Sequence, residues 1–367
     1  MSPAMRPSSD QLKRGWTTGA CATAATRAAF TALLTGEFPD PVEIVLPKGQ
    51  TPAFALACEG KGEGWAQAGI VKDAGDDPDV THGALILSTV RPGAPGTGVT
   101  FAAGEGVGTV TLPGLPIEPG EPAINPVPRA MMTQTIEDVA KSHSAPVDVI
   151  IEISVPEGKE LAKKTWNPRL GIKGGLSILG TTGIVNPFSC SAWIHSIHRG
   201  IDVARAQGRE RVAGATGSTS EAAVKALYDL PDEALLDMGD FAGGMLKYLR
   251  KNPVPKVSIA GGFAKLAKLG QGFLDLHSGR SQVDFKWLAE RVEQVTGDQA
   301  LAAKARTSNT ALEVLQLVGD RGADIAQEIA NAARVTALET LRDAPCEIDI
   351  VVVDRQGRIL ARSADDG

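Results

Sequence analysis

The arrangement of apolar residues changes after Pro156, and this change limits the folds that the chain can adopt. Before it, short apolar runs are separated by turns with glycine at every second position, at 60–64 and 104–108. That arrangement is typical of hairpins in an antiparallel sheet. After it, helical and strand patterns alternate, as they do around a parallel sheet. We therefore predict an N-terminal α+β domain with a mostly antiparallel sheet over 1–155. A C-terminal α/β domain with a mainly parallel sheet is predicted over 156–367.

The predicted elements of the two halves differ in the same way. In the first half, helices are predicted over 20–34 and 129–142, and strands over 42–46, 53–58, 66–71, 85–90, 107–112 and 147–155. In the second half, helices are predicted over 191–207, 220–228, 240–251 and, with short breaks, 284–342. The strands of that half are predicted over 211–215, 234–237, 256–260 and 346–354. The proline-rich segment 113–128 is expected to be a surface connection.

Composition and charge exclude several classes of protein. The net charge is -6 and no dense cluster of lysine or arginine occurs, which argues against a nucleic-acid partner. The four cysteines are scattered, so we expect reduced thiols rather than a disulfide framework or a zinc site. No apolar stretch is long enough to span a membrane, and residues 1–14 lack the apolar core of a signal peptide. The sequence therefore predicts a soluble cytoplasmic protein.

The segment 71–83 concentrates ionisable side chains. Four aspartates, Lys72 and His82 lie in it, and a glycine and a proline exclude a continuous helix or strand. Because apolar runs flank it on both sides, we expect a loop held between two strands. Asp76, Asp77 and His82 are the candidate acid or base groups. Two other interpretations stay open, a Mg²⁺ or Ca²⁺ site and turns in which the aspartates face water.

A predicted strand, a glycine and a predicted helix follow one another around Gly217, a common way to bind an anion or a nucleotide. Thr216 and Ser218 flank that glycine. Ser218 and Glu221 also have the spacing of a capping box, which needs no ligand, so both interpretations stay open. Asp237 ends the next predicted strand about twenty residues later, where a ribose-binding acid stands in a dinucleotide-type fold. A simple turn residue is the alternative there.

Other polar positions are less specific. The segment 171–183 is rich in glycine and hydroxyl residues, which suits either the floor of a ligand cleft or a crossing between two domains. His195 and His198 share a predicted helix face with Asp202, but the H-E-x-x-H spacing of a zinc site is missing. His277 follows a short apolar turn and has either a structural or a functional role.

Several motifs together resemble one family. They are RGWTTGACA at 14–22, KDAGDDPDVTHG at 72–83, GLSILGTTG at 175–183, TGSTSE at 216–221, MGDF at 238–241 and GFAKLAKLG at 262–270. In this order, over nearly the whole chain, they are similar to the cobalt-precorrin-5B (C1)-methyltransferases of the oxygen-independent cobalamin pathway. The opening G-x-T-T-G-x-C motif and the D-D-P-D-V-T loop are specific in combination.

The resemblance implies S-adenosylmethionine as methyl donor and a tetrapyrrole acceptor that brings its own cobalt, so no metal site on the protein is implied. The methyl group is transferred to ring carbon 1, which gives cobalt-precorrin-6A. Because the donor is a sulfonium with a good leaving group, the transfer mainly needs alignment of the reacting atoms. The acceptor bears many carboxylates, which need lysine, arginine and backbone N–H partners. Ser218 stands where the family pattern leads us to expect a basic residue, so that role would pass to another side chain.

The resemblance and the residue types together give three sets of candidates. The acid or base set is Asp76, Asp77 and His82. The set assigned to the acceptor is Thr17, Thr18, Gly19, Lys72, Lys173, Lys265 and His277. The set assigned to the donor is Gly180, Thr181, Thr182, Gly183, Thr216, Gly217, Ser218, Glu221, Asp237 and Asp240.

Two other functions compete with this interpretation. A small-molecule kinase would use the helix-start loop for phosphate and would bind a nucleoside triphosphate with Mg²⁺. A non-catalytic carrier of corrinoid precursors would bind the pigment without methylating it. The sequence leaves the oligomeric state open, a homo-oligomer included.

Overall fold

The computed structural model of the protein describes residues 12–363. The prediction that residues 1–14 contain no signal peptide concerns a segment of which 1–11 lie outside the described residues. The chain divides into two compact units, one ending at Ser189 and the other beginning at Cys190. Within 12–363, no helix combines the length and the apolar character that crossing a membrane requires.

The first unit is built on a five-stranded sheet. Its elements are β1 (Gly15–Trp16), α1 (Thr18–Thr35), β2 (Val42–Glu43), β3 (Ala53–Phe54), β4 (Cys58–Gly62), β5 (Trp65–Val71), β6 (Leu85–Pro92), β7 (Val99–Ala103), β8 (Thr109–Val110), α2 (Pro126–His143), β9 (Val149–Ser154), α3 (Gly158–Ala162), β10 (Ile172–Lys173) and β11 (Ile184–Val185). The sheet order is β4-β5-β6-β9-β7, and only the β7–β9 pair is parallel among these described strands. The prediction of an α+β unit with a mostly antiparallel sheet is confirmed.

Helix α1 carries mostly small side chains in its buried first turns, which lets it lie close to both the sheet and α2. It begins after Thr17, whose Oγ1 accepts a hydrogen bond from the Ala20 N–H at 3.2 Å. It ends at Gly36, whose φ of 84° suits a glycine at a helix end. Thr26 of α1 and Ser88 of β6 are joined by a buried hydrogen bond of 2.8 Å. Close packing therefore fixes the position of the helix N-terminus, where the first motif lies.

Four predictions for this unit are wrong in detail. The strand predicted over 53–58 is interrupted, because only Ala53–Phe54 forms β3 and Cys58 already belongs to β4. The apolar runs at 42–46 and 107–112 form strands of only two residues each, because much of their backbone bonds to loops instead. The segment 113–128 is more than a surface connection, because Ile124 is fully buried and α2 already begins at Pro126. A proline is well accommodated there because the first helical N–H groups need no partner within the helix.

The second unit is built on another five-stranded sheet, with helices around it. Its elements are α4 (Cys190–Ala206), β12 (Arg211–Ala215), α5 (Ser218–Tyr228), β13 (Leu235–Leu236), α6 (Ala242–Leu249), β14 (Lys256–Gly262), α7 (Phe263–Gly270), α8 (Phe285–Thr296), α9 (Gln299–Arg306), α10 (Ala311–Leu317), α11 (Gly322–Leu341), β15 (Glu347–Val353) and β16 (Ile359–Ser363). The order is β13-β12-β14-β15-β16, with all pairs parallel except β15–β16. The predicted α/β class with a mainly parallel sheet is confirmed.

The core of the second unit explains why its helices form where they do. Apolar side chains of α4, α6, α7 and α11 pack together with those of β12, β14 and β15 in one buried cluster. The helix α7 was not predicted as an element, although Phe263, Leu266 and Ala267 have helical spacing and are buried in that cluster. The strand β16 was also not predicted, since it is a short edge strand that forms through pairing with β15.

The residues between the predicted boundary and Cys190 pack within the first unit. The sequence places the change of domain at 155/156, whereas the two units divide between Ser189 and Cys190. Two strands of this stretch explain the difference, because β10 pairs with β8 and β11 pairs with β1. The change of pattern after Pro156 therefore marks the end of the main sheet of the first unit rather than the end of the unit.

Candidate functional site

The parallel sheet of the second unit contains a topological switch point. The strands β12 and β14 are neighbours, but β12 continues through α5 to β13 on one side and β14 continues through helices to β15 on the other. Ligands of open α/β sheets bind in the crevice outside the carboxyl ends of two such strands. The sequence motif at 216–221 and the glycines 261 and 262 both lie at these ends.

The residue that precedes α5 has no side chain with which to cap the helix. Gly217 is the N-cap residue and makes no side-chain cap, and the Glu221 N–H bonds to the Gly217 carbonyl at 3.0 Å. The capping-box interpretation of Ser218 and Glu221 is therefore wrong, because the helix begins at Ser218 itself. The Thr216 N–H bonds to the Ala260 carbonyl at 2.9 Å, which ties this turn to β14.

The turn after β14 approaches the same place. A Cβ atom on Gly261 would lie 2.9 Å from the Thr216 side chain, so glycine permits this close approach. Lys265, in the first turn of α7, points its Nζ at the Thr216 carbonyl, 3.2 Å away. The same Nζ lies 2.9 Å from Oδ1 of Asp240. The structure thus brings together residues from the ends of three neighbouring strands.

The acidic residues after β13 stand beside this crevice. Gly214 and Leu236 are partners in the parallel register, so Asp237 follows β13 at the level of Ala215. The Gly239 N–H bonds to the Ala215 carbonyl at 2.9 Å, which holds the segment against the end of β12. Asp237 therefore lies beside the end of β12, and Asp240 is linked to Thr216 through the Lys265 ammonium. The assignment of both aspartates to the donor remains a prediction.

Lys268 is a residue of this region that the sequence analysis missed. Its side chain is buried and its Nζ donates to the Leu276 carbonyl at 3.0 Å. Burial lowers the pKa of Lys268, against the opposing effect of the nearby Asp240 carboxylate. Its position three residues after Lys265 on one helix was a signal that could have revealed it.

In the first unit, the 72–83 segment is a loop between β5 and β6, as predicted. Lys72 is only 1% exposed, and its Nζ lies 2.7 Å from Oδ2 of Asp79. Burial by itself would raise the pKa of Asp79, but the Lys72 ammonium and hydrogen bonds from Thr81 outweigh it and hold that pKa below its ordinary value. Lys72 is therefore the buried partner of a loop carboxylate, which corrects its assignment to an acceptor carboxylate.

The three acid or base candidates also stabilise this loop. Oδ2 of Asp76 accepts from the Lys13 N–H at 2.6 Å, and Oδ1 of Asp77 accepts from the Phe188 N–H at 2.8 Å. Nδ1 of His82 accepts from the Ala74 N–H at 3.1 Å. The second oxygen of each carboxylate has no hydrogen bond among the described residues and remains available for a proton or a ligand.

Electrostatics strengthens the same loop at its start. The Lys13 ammonium lies 2.6 Å from Oδ2 of Asp73. This hydrogen bond, and a further one from the Gly75 N–H, lower the pKa of Asp73. Within 12–363, no three His, Cys, Asp or Glu side chains form a group that could hold a metal ion.

Comparison with known proteins identifies the family. The CbiD family model matches residues 5–187, and the model of the CbiD C-terminal domain matches residues 275–364. A protein from Brucella anthropi is 67% identical over 352 residues, which are 96% of each chain. The chain belongs to the CbiD family.

The relatives of this CbiD-family chain carry one description. The Brucella anthropi protein and a Brucella abortus protein, 66% identical over 356 residues and 97% of each chain, are both described as cobalt-precorrin-5B C(1)-methyltransferase. A crystal structure of a cobalamin biosynthesis protein (CbiD) from Archaeoglobus fulgidus is 28% identical to it. The match covers 73% of this chain and 83% of that one, with a TM-score of 0.40.

The opening motif of this CbiD-family chain is occupied by internal contacts. The Gly19 N–H donates to the Leu179 carbonyl at 2.9 Å, and Oγ1 of Thr18 accepts from the Leu179 N–H at 2.9 Å. The Thr17 N–H donates to the Gly183 carbonyl at 3.0 Å. These residues were assigned to a carboxylate of the acceptor, but they are buried, and the Thr17 and Gly19 N–H groups already donate within the first unit. The correction is that they fasten the 177–183 segment to α1.

The glycines of that segment have the complementary role. Gly180 has a φ of 130°, and a Cβ there would lie 2.4 Å from the Thr17 side chain. A Cβ on Gly183 would lie 2.5 Å from Leu46. Thr182 bonds through Oγ1 to Ile184, while Thr181 is exposed. The predicted donor set is thus divided, with Gly180 to Gly183 in the first unit and the remaining residues in the second.

The side chains of Lys173 and His277 are both exposed. Neither has a described contact with another residue of the predicted acceptor set. Lys173 lies on β10 opposite Thr109. Nδ1 of His277 accepts from the Gly279 N–H at 3.1 Å, which closes a turn. Their assignment to the acceptor remains a prediction.

The His195 and His198 pair has structural partners rather than the form of a metal site. His198 stacks on the Tyr248 ring at 3.9 Å, and its Nε2 lies 3.2 Å from the Gly244 carbonyl. Burial is the main reason why the pKa of His198 is lowered. Asp202 accepts from the Tyr248 hydroxyl at 2.7 Å, so its carboxylate is used there.

Proposed function

We propose that this chain is a cobalt-precorrin-5B C(1)-methyltransferase that uses S-adenosylmethionine as its methyl donor. One observation carries the proposal: a relative with that description is 67% identical over 352 residues, which cover 96% of each chain. Cobalt enters with the acceptor in this proposal, and the protein supplies binding, orientation and a route for the proton.

The chemistry fits the residues present. The donor is a sulfonium whose leaving group departs as a neutral thioether, so the protein must mainly align the ring carbon, the methyl carbon and the sulfur. A base is needed only where a proton leaves another position of the pigment as charge redistributes after the C–C bond forms and the S–C bond breaks, and a carboxylate is a suitable acceptor for that proton. Asp76 and Asp77 each keep an oxygen without a hydrogen bond among the described residues.

His82 has a different part in this scheme. Its Nδ1 is occupied by the Ala74 N–H. In the neutral ring the proton is then on Nε2, which makes His82 a hydrogen-bond donor rather than a base. We propose that Asp76 and Asp77 are the basic groups. We also propose that His82 donates a hydrogen bond to the tetrapyrrole.

We propose that the donor binds at the switch point of the second unit. In this proposal Asp237, which follows β13 at the end of β12, accepts hydrogen bonds from the ribose hydroxyl groups, and the N–H groups at the start of α5 face the donor. A Cβ on Gly217 would meet nothing within 4 Å, so the space beside this glycine gives the donor access to the backbone. This arrangement supports the donor assignment of Thr216, Gly217, Ser218, Glu221, Asp237 and Asp240.

A direct test is methyl transfer with purified protein, cobalt-precorrin-5B and S-adenosylmethionine labelled in its methyl group. We expect the pigment to gain one labelled methyl group, located at ring carbon 1 by NMR. Tight pigment binding without a mass gain would favour the carrier function. Calorimetry with ATP and Mg²⁺ tests the kinase alternative, for which we expect no heat of binding.

The donor site has its own test. Asp237→Asn should weaken S-adenosylhomocysteine binding by about 10-fold to 100-fold, because hydrogen bonds to a charged group are lost. Glu347→Gln is the matched control, since Glu347 is the exposed first residue of β15 and lies at the amino end of the parallel strands, away from the carboxyl ends that form the proposed site. Equal affinities for the two variants would remove Asp237 from the donor site.

A further inference from the structure

Lys265 and Asp240 form an unusual ion pair at the switch point. Their charged atoms lie 2.9 Å apart, and their side chains are 38% and 22% exposed, so part of each side chain is open to solvent. Asp240 lies between β13 and α6, where its carbonyl accepts the Leu276 N–H at 2.9 Å. The two side chains therefore belong to different turns that meet beside β12.

The carboxylate of this pair is incompletely satisfied. Oδ1 of Asp240 is buried and has no hydrogen-bond partner among the described residues, although the Lys265 ammonium is near it. The contact is thus a charge attraction whose angle is not that of a hydrogen bond. A buried oxygen in this condition costs free energy, and such atoms are rare in folded proteins unless a ligand or water completes them.

The ammonium of Lys265 also has spare capacity. It donates to the Thr216 carbonyl at 3.2 Å, and a lysine ammonium carries more N–H donors than that one bond uses. Lys268, on the same helix, adds a second positive charge near Asp240. A ligand that brings both an ammonium group and a carboxylate would satisfy the two members of the pair at once.

We infer that Lys265 and Asp240 bind the amino-acid end of the methyl donor, Lys265 its carboxylate and Asp240 its α-ammonium group. This inference rests on the proposed function, because it takes S-adenosylmethionine as the ligand of the switch point. It also moves Lys265 from the acceptor set to the donor set. The methionine end is the zwitterionic part of that ligand, and the ion pair is its complement in charge.

The test compares two ligands that differ in one group. Calorimetry of the full chain would use S-adenosylmethionine and its decarboxylated form, which keeps the amine and the sulfonium. Lys265→Met should weaken binding of S-adenosylmethionine by about 10-fold to 100-fold and change binding of the decarboxylated ligand little. Asp240→Asn should weaken both ligands by similar factors, since both keep the amine.

Two further variants separate ligand binding from folding. Lys256→Met is the matched control, because Lys256 begins β14 at the amino end of the parallel strands, away from the proposed site. This variant should bind both ligands as the unmodified chain does. Lys265→Arg keeps the positive charge and should keep most of the preference for the carboxylate. Circular dichroism and thermal unfolding check that each variant is folded.

Several results would overturn the inference. An equal loss of both ligands in Lys265→Met would show that Lys265 supports the fold rather than the carboxylate. Unchanged donor binding with a raised KM for cobalt-precorrin-5B would return Lys265 to the acceptor. If the unmodified chain binds neither ligand, the proposed donor site is wrong and this inference falls with it. If the unmodified chain binds both ligands but Lys265→Met does not discriminate between them, only the assignment of Lys265 is wrong.

Discussion

The buried ion pair between Lys72 and Asp79 gives the sharpest test of how the 72–83 loop is held. Lys72→Met keeps the length and the apolar stem of the side chain and removes only its charge. The Asp79 carboxylate would keep the two hydrogen bonds from Thr81 to Oδ1, at 2.8 and 2.7 Å, and lose the partner of Oδ2. The variant therefore leaves a half-satisfied carboxylate inside the loop.

The expected cost follows from the burial of the two groups. Removing one member of a fully buried pair costs about 3–5 kcal/mol, because the other charge is left without compensation. The Asp79 side chain is 26% exposed, so water replaces part of the lost interaction. We therefore expect a loss of about 2 kcal/mol in the free energy of unfolding of the first unit. That equals roughly a 30-fold change in its unfolding equilibrium.

The effect has a defined dependence on pH. The pKa of Asp79 is lowered in the folded chain, so its ionised form stabilises the fold at any pH above the unfolded value of about 4. That stabilisation is lost as the pH falls through the folded pKa. The difference between Lys72→Met and the unmodified chain should therefore be complete at neutral pH and shrink below about pH 4.

Urea unfolding and hydrogen exchange of peptides covering β5, the loop and β6 measure this difference at several pH values. The double variant Lys72→Met with Asp79→Asn should recover part of the lost stability, because no uncompensated charge remains. An unchanged unfolding free energy for Lys72→Met, or a difference that is the same at pH 3 and pH 7, would refute the reasoning.

Two further predictions concern the first unit. Gly180→Ala should lower the melting temperature more than Gly174→Ala, since both glycines have positive φ but only a Cβ on Gly180 would collide with Thr17; equal effects would contradict the clash. Burial raises the pKa of the Cys21 thiol to about 12, so iodoacetamide at pH 8 should leave Cys21 unmodified in the folded chain and alkylate it after unfolding. Mass spectrometry of the tryptic peptides decides this, and rapid alkylation of Cys21 in the folded chain would contradict it.

Most of the fold could be predicted because the pattern of apolar residues is local information. The predicted strand 211–215 coincides with β12, and the helix predicted over 20–34 lies within α1. β7 was missed because it is a short edge strand whose pairing with β9 depends on residues about fifty positions away. No local period indicates such a pairing.

The candidate site was predicted less completely, because motifs identify residues but not their partners. The sequence contains both Thr18 and Leu179, but only the structure joins them across the first unit. It contains Lys72 and Asp79 seven residues apart, but only the fold buries the lysine. Asp240 and Lys265 were assigned to different ligands, because their meeting depends on the order of the strands in the parallel sheet.

The internal bonds of the opening motif have a consequence for how the protein can be cut. A fragment that stops at 155 would lack Leu179 and Gly183, so the Thr17 and Gly19 N–H groups would lose their acceptors and the Thr18 hydroxyl would lose the Leu179 N–H that donates to it. A fragment that continues to Ser189 retains them all. Limited proteolysis, gene fusion or recombination between homologues should therefore yield a stable piece only when the break falls near Ser189, 35 residues beyond the end of β9, the last strand of the main sheet.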